Sequence, residues 1–157
     1  MNPFDSKSLF DPIRQERVAA TPEEIVRQKL IHHLVNELFF PKELIAVEKA
    51  IATLAYLTLE ERRSAPKRRI DLLCFAKNIH PNHNVYPLLL VECKAIALNV
   101  TMKRQLIGYN YYVKAPYVLL AGSSELFFGW YEIEKKGYVW IDYIPSFQAL
   151  CSSLLGA

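Results

Sequence analysis

Two short apolar runs dominate the middle of the chain, RIDLLCFA (69–76) and YPLLLVECK (86–94), each bounded by turn-forming residues. Runs of this length and composition read as buried strands. KNIHPNHNVY between them is rich in Asn, His and Pro and reads as an exposed hairpin loop. Upstream, TPEEIVRQKLIHHLVNELFF (21–40) carries an apolar stripe of Ile25, Leu30, Ile31, Leu34 and Leu38, which predicts a helix. Thr21 suits its N-cap, Pro22 its first position, Glu24 the third position of a capping box, and Pro41 its stop. KELIAVEKAIATLAYLTL is compatible with a second helix or with a turn and a strand near 45–51, and residues 60–68 read as a charged loop.

Downstream, TMKRQLIGYNYYVKA has the length and pattern of a helix, and PYVLLAG that of a strand. LFFGWYEIE and GYVWIDY form a further hairpin around Lys135, Lys136 and Gly137, and Pro145 opens a short helix through Leu155. Residues 1–20 read as an arm and 21–157 as a single domain, without repeats, low-complexity segments or an inter-domain linker. A chain of 157 residues is long enough to bury a core.

Composition adds little and excludes some classes. The net charge is only +3, too small to identify a partner. A local basic cluster, Arg62, Arg63, Lys67, Arg68 and Arg69, stands before the first central strand and suits either a solvated loop or a nucleic-acid footprint. Cys74, Cys93 and Cys151 are odd in number, and two lie in strand patterns, so a disulfide framework is not expected. The N-terminus lacks a signal-peptide layout, and no apolar stretch approaches the ~18–20 residues that span a bilayer. These features predict a cytoplasmic protein with no membrane partner. No Gly-rich phosphate loop is present, so ATP-driven motion would have to come from another protein.

The chemistry concentrates at the strand ends. Matching Ala76 with Pro87 in an antiparallel hairpin puts Asp71 opposite Glu92. Residues i and i+2 share a strand face, so Glu92 and Lys94 project together while Cys93 points away. Like charges placed opposite one another repel, and an unpaired buried carboxylate is costly. A divalent cation resolves the conflict, because Mg²⁺ takes one or two carboxylates and keeps several waters. The carbonyl of Cys93 is within reach as a third ligand, and Lys94 is free to orient or help deprotonate a metal-activated water. A plain salt bridge from Lys94 to either acid accounts for the same residues.

Asp71…Glu92-Cys93-Lys94 resembles the D…(D/E)-x-K signature of the PD-(D/E)xK nuclease superfamily, and Gln105-Leu106-Ile107-Gly108-Tyr109 is similar to the Q-x-x-x-Y motif of its RecB-like branch. With TPEEIVRQKLIHHLVNEL, PKELIAVEK, KRRIDLLCF, LLLVECKA and RQLIGYNYYVKAPYVLLAG, the chain resembles the N-terminal nuclease domain of type I restriction enzyme R subunits, above all short bacterial forms of that domain. The resemblance covers residues 21–122, with YIPSF near the end. It implies an α/β (α+β), restriction-endonuclease-like fold: a mixed sheet of four or more strands flanked by helices, order αβββαβ, followed here by a hairpin and a short helix. That order favours the strand near 45–51.

The resemblance further implies an Mg²⁺- or Mn²⁺-dependent nuclease acting on DNA. Asp71, Glu92 and the Cys93 carbonyl would hold the metal, with Glu24 completing the site, and Lys94 would assist the water. Gln105 and Tyr109 would position the site or the nucleic-acid backbone, and Arg68, Arg69, Lys103 and Arg104 are candidate DNA contacts. Protein partners would supply targeting or a motor. Three departures stand out: an expanded TLAYLTLEERRSAPK loop, AGSS in place of Asn-Gly, and Ile96 in place of Pro. The alternative is a non-catalytic nucleic-acid- or protein-binding module on the same fold.

Other groups have ordinary readings. Glu24 can cap its own helix, and Glu23 with Arg27 can form a surface i,i+4 pair. His80 and His83, with or without Cys74, lack a second ligand pair at zinc spacing. The aromatics of LFFGWYEIEKKGYVWIDY suit core packing as well as base stacking.

Overall fold

The structure is a computed structural model that describes residues 7–155. Residues 1–6 of the expected arm lie outside the described residues. The rest of the arm is a hairpin of β1 (Ser8–Asp11) and β2 (Glu16–Ala19). Next come α1 (Pro22–His32), β3 (Ile45–Ala50), α2 (Leu59–Ser64), β4 (Arg69–His80), β5 (His83–Cys93) and α3 (Val100–Val113), then β6 (Tyr117–Ala121), β7 (Leu126–Glu132), β8 (Gly137–Ile141) and α4 (Phe147–Leu155). The main sheet has six strands in the order β3-β4-β5-β6-β7-β8. Only β5 and β6 pair in parallel, and α3 supplies the crossover that a parallel pair needs. This is the mixed α+β architecture expected from the sequence, extended by the C-terminal hairpin.

The sheet is buried on both faces, which explains why its central strands read as continuous apolar runs. One core joins Val26, Leu30, Ile31 and Leu34 of α1 and Leu150 of α4 to Leu72, Cys74, Val91, Cys93 and Leu119. The other joins Met102, Leu106 and Val113 of α3 to Leu73, Leu90, Val118 and Leu120. Among the described residues, no helix is long and apolar enough to cross a membrane.

Several local expectations are corrected. Residues 59–64 form α2 rather than part of a charged loop. Thr58 and Glu61 cap it reciprocally, and six residues are too few to show a periodicity. The capping box at α1 is only half made. Thr21 Oγ1 accepts from the Glu24 N–H at 3.2 Å, but the Thr21 N–H donates to the Ala19 carbonyl. The α-helical part of the first helix ends at His32 and continues as a π-turn over His33–Glu37, with Phe39 in the left-handed region (φ 61°) before Pro41. The hairpin loop shrinks to Pro81 and Asn82, because both strands run on to His80 and His83. The rings of His80 and Tyr86 stack there, with centroids 4.3 Å apart.

The register is right at one end of the hairpin and shifted at the other. Ala76 pairs with Tyr86, and Phe75 with Pro87, because an irregularity falls between Cys74 and Phe75. Beyond it, Cys74 pairs with Leu89 and Leu72 with Val91. One further step in that register brings Asp71 level with Glu92.

Candidate active site

Asp71 and Glu92 lie where β4 begins and β5 ends, and both are buried. The main chain of β5 itself fixes Asp71, whose Oδ2 accepts the Cys93 N–H at 2.7 Å. Its Oδ1 accepts from Arg27 Nη2 at 3.0 Å. Glu92 Oε2 accepts from Arg68 Nη2 at 3.0 Å, whereas Glu92 Oε1 is buried without a hydrogen-bond partner among the described residues. Burial, and then the charge of Asp71, push Glu92 from the ordinary 4.5 up to about 7, against the pull of Arg68 and Lys94.

Lys94 follows β5 directly, and its N–H donates to the Ala121 carbonyl at 2.8 Å, which holds it against the end of β6. Its side chain is half-buried. Among the described residues it forms no ion pair within 4.0 Å, so the two acids take arginine partners and the plain Lys94 salt bridge is not formed. Cys93 points away into the core against α1, as its alternation with Glu92 requires. Of the other expected site residues, Tyr109 reaches the acids through Arg68, whose guanidinium lies 4.9 Å from the centre of its ring. Gln105 is exposed one turn earlier on α3, and Arg69 and Arg104 are also exposed. Lys103 packs over the rings of Phe127, at 3.8 Å, and Trp140, at 5.1 Å.

Glu24 is drawn into a charge network behind the acids. Arg14 Nη2 and Gln28 Nε2 donate to its Oε1, and Arg27 Nη1 lies 3.0 Å from its Oε2. Arg27 therefore stands between Glu24 and Asp71. The expected surface pair of Glu23 with Arg27 is replaced by this one, because Arg27 is turned inward and only 5 % exposed. Burial alone lowers the pKa of the guanidinium, but Glu24 and Asp71 outweigh it and hold Arg27 above its ordinary value. Glu48, at a left-handed position in β3 (φ 53°), approaches Arg27 at 3.5 Å and Arg14 at 3.7 Å.

Arg14, Arg27 and Glu48 were not expected at the site. Arg27 carried a signal: it lies four residues before Ile31 and seven before Leu34, on the stripe that α1 buries. Arg14 and Glu48 carried none, because their roles depend on the β1–β2 turn and on the path of β3.

With all acids ionised, five carboxylates (Asp11, Glu24, Glu48, Asp71 and Glu92) face three guanidiniums (Arg14, Arg27 and Arg68). The excess is two negative charges, one of which Lys94 offsets. An oxygen-only donor set with a buried, unpartnered carboxylate oxygen fits a hard divalent cation. Among the described residues, no three His, Cys, Asp or Glu side chains converge as a ligand group. A cation here would therefore depend on Asp71, Glu92, a main-chain carbonyl and solvent. The zinc reading of His80 and His83 gains no third ligand, since Cys74 is buried in the core.

No curated protein and no solved structure matches the chain. The family model described as the type I restriction enzyme R protein N terminus (HSDR_N) matches residues 22–145, from the first residue of α1 to Pro145 just before α4. The chain belongs to that family.

Proposed function

We propose that the chain is a divalent-metal-dependent nuclease that hydrolyses DNA phosphodiester bonds. One observation carries the proposal: among the described residues, Glu92 keeps a buried oxygen without a partner, beside Asp71, at the end of an apolar strand. Asp71, Glu92 and the Cys93 carbonyl would hold Mg²⁺ or Mn²⁺. When bound, the ion supplies Lewis acidity, which acidifies water and offsets charge developing on a phosphate.

The chain's own residues do the rest. The Cys93 N–H and Arg27 fix the carboxylate of Asp71 before any ligand arrives. Lys94, held at the end of the sheet by its N–H, presents an ammonium that forms no ion pair among the described residues and can orient the attacking water or take part in its deprotonation. Arg68 is the group best placed to follow a phosphate, because 41 % of its side chain is exposed while its guanidinium rests on Tyr109 and Glu92.

The test is cleavage of plasmid and single-stranded DNA with Mg²⁺ or Mn²⁺, comparing wild type with Asp71→Ala and Lys94→Ala. Cleavage lost in both variants supports the proposal. A wild type that never cleaves, or cleavage that survives both substitutions, refutes it. A second reading, a non-catalytic binding module on this fold, is favoured by the guanidiniums that already pair with both acids. Calorimetry with Mn²⁺ separates the two, since a pure binding module needs no cation at Asp71 and Glu92.

A further inference from the structure

The family match begins at residue 22, yet the charge network of the site reaches back to Arg14, in the turn of the β1–β2 hairpin. Asp11 fixes that turn from a fully buried position. Its Oδ1 accepts the N–H of Ile13 at 2.7 Å and of Arg14 at 3.0 Å, and its Oδ2 accepts Arg14 Nε at 2.6 Å. Backbone and side chain of Arg14 are thus held by the same carboxylate. The remaining edge of the guanidinium points to α1 and β3, where Nη2 donates to Glu24 and Nη1 lies 3.7 Å from Glu48.

We propose that Arg14 is a positioning residue for the acid pair, acting through Glu24 and Arg27 on Asp71. Glu24, Glu48 and Asp71 all approach Arg27. Arg14 engages the first two, which leaves Arg27 Nη2 for Asp71 and so sets the carboxylate that accepts the Cys93 N–H. Without the fork of Arg14, three carboxylates compete for one guanidinium. A lysine keeps the charge but is a point donor, unable to span Asp11, Glu24 and Glu48 together. The cation-binding part of this inference rests on the function proposed above; the geometric part does not.

The experiment compares full-length wild type, Arg14→Lys and Arg17→Lys. Arg17 is an exposed residue of the same hairpin that bonds to Ser8 and has no link to the acids. Two readouts are taken: the amide ¹H–¹⁵N resonance of Cys93, and Mn²⁺ affinity by calorimetry. Arg14→Lys is expected to move the Cys93 resonance and weaken Mn²⁺ binding severalfold, less than the roughly tenfold or more lost with a group bonded directly to a ligand. Arg17→Lys is expected to change neither.

If Arg14→Lys matches wild type in both readouts, or Arg17→Lys moves the resonance equally, the proposal is overturned. If wild type binds no Mn²⁺ while Arg14→Lys still moves Cys93, the cation reading fails and the positioning role stands. Should Arg14→Lys not fold, Asp11→Asn removes the charge that holds the Arg14 guanidinium, leaves Glu24 and Arg27 intact, and is read in the same way.

Discussion

Replacing Arg27 with methionine tests how much the fold depends on the charge network behind the acids. The guanidinium lies 3.0 Å from both Glu24 and Asp71, and the three side chains are only 6 %, 9 % and 11 % exposed, so solvent screens the contacts little. Removing one member of a buried ion pair typically costs about 3–5 kcal/mol, because the remaining charge stays buried and uncompensated. Here two carboxylates are stranded, which argues for a large effect. Against that, Arg27 Nε and Nη1 make no aligned hydrogen bond, so the native guanidinium already carries part of its own desolvation cost. Methionine also preserves much of the packed alkyl volume. The lower end applies, about 3 kcal/mol. Urea unfolding at neutral pH in EDTA, with equal m-values for wild type and variant, measures it. Adding Glu24→Gln to Arg27→Met should recover part of the loss, a coupling that a double-mutant cycle isolates. A loss below about 1 kcal/mol would mean that the network behaves as a solvent-screened surface cluster and would refute the reasoning.

Other outcomes follow from individual contacts. Glu92 titrates at about 7 when folded, so between pH 4.5 and 7 the folded chain keeps a proton that the unfolded chain has released. In EDTA, stability should therefore fall by roughly 3 kcal/mol as pH rises through that window and level off above it, and Glu92→Gln should abolish the fall in urea titrations across pH. Gly129→Ala would place a Cβ 2.6 Å from Trp140 Cε3, and should cost about 1–3 kcal/mol by urea unfolding unless the indole moves. Cys74, fully buried and pushed up to about 12, and Cys93, raised well above its usual range by burial, should resist a thiol reagent in the native state. Half-buried Cys151 should label first, as counted by absorbance before and after denaturation.

What could be read in the sequence was whatever depends on short-range pattern. Leu72, Leu73, Leu89, Leu90 and Val91 announced a sheet buried on both faces, and the alternation through Glu92, Cys93 and Lys94 gave the correct direction for the thiol. Asp71 came level with Glu92 even though the assumed pairing of Ala76 with Pro87 was one residue out, because the slip falls entirely on the tip side of Cys74. What could not be read depends on tertiary placement. Arg14 looks like a solvated charge until a turn brings it under the sheet, and the place of Arg27 on the buried stripe of α1 does not reveal which acids it meets. Thr58 and Glu61 did carry a capping signal, but amid so many neighbouring charges the stretch looked like a loop.

The irregularity between Cys74 and Phe75 divides the long hairpin into two mechanically separate lengths. The inner length has its own register, gripped by β3 on one side and β6 on the other, and it alone sets the alignment of Asp71 and Glu92. Ala76 and Pro87 of the outer length are still buried with the core, but the exposed tip around Pro81 and Asn82 can gain, lose or exchange residues without shifting that alignment. The tip, at the far end of the hairpin from Asp71 and Glu92, is therefore the place to graft a reporter while leaving the acids where they are.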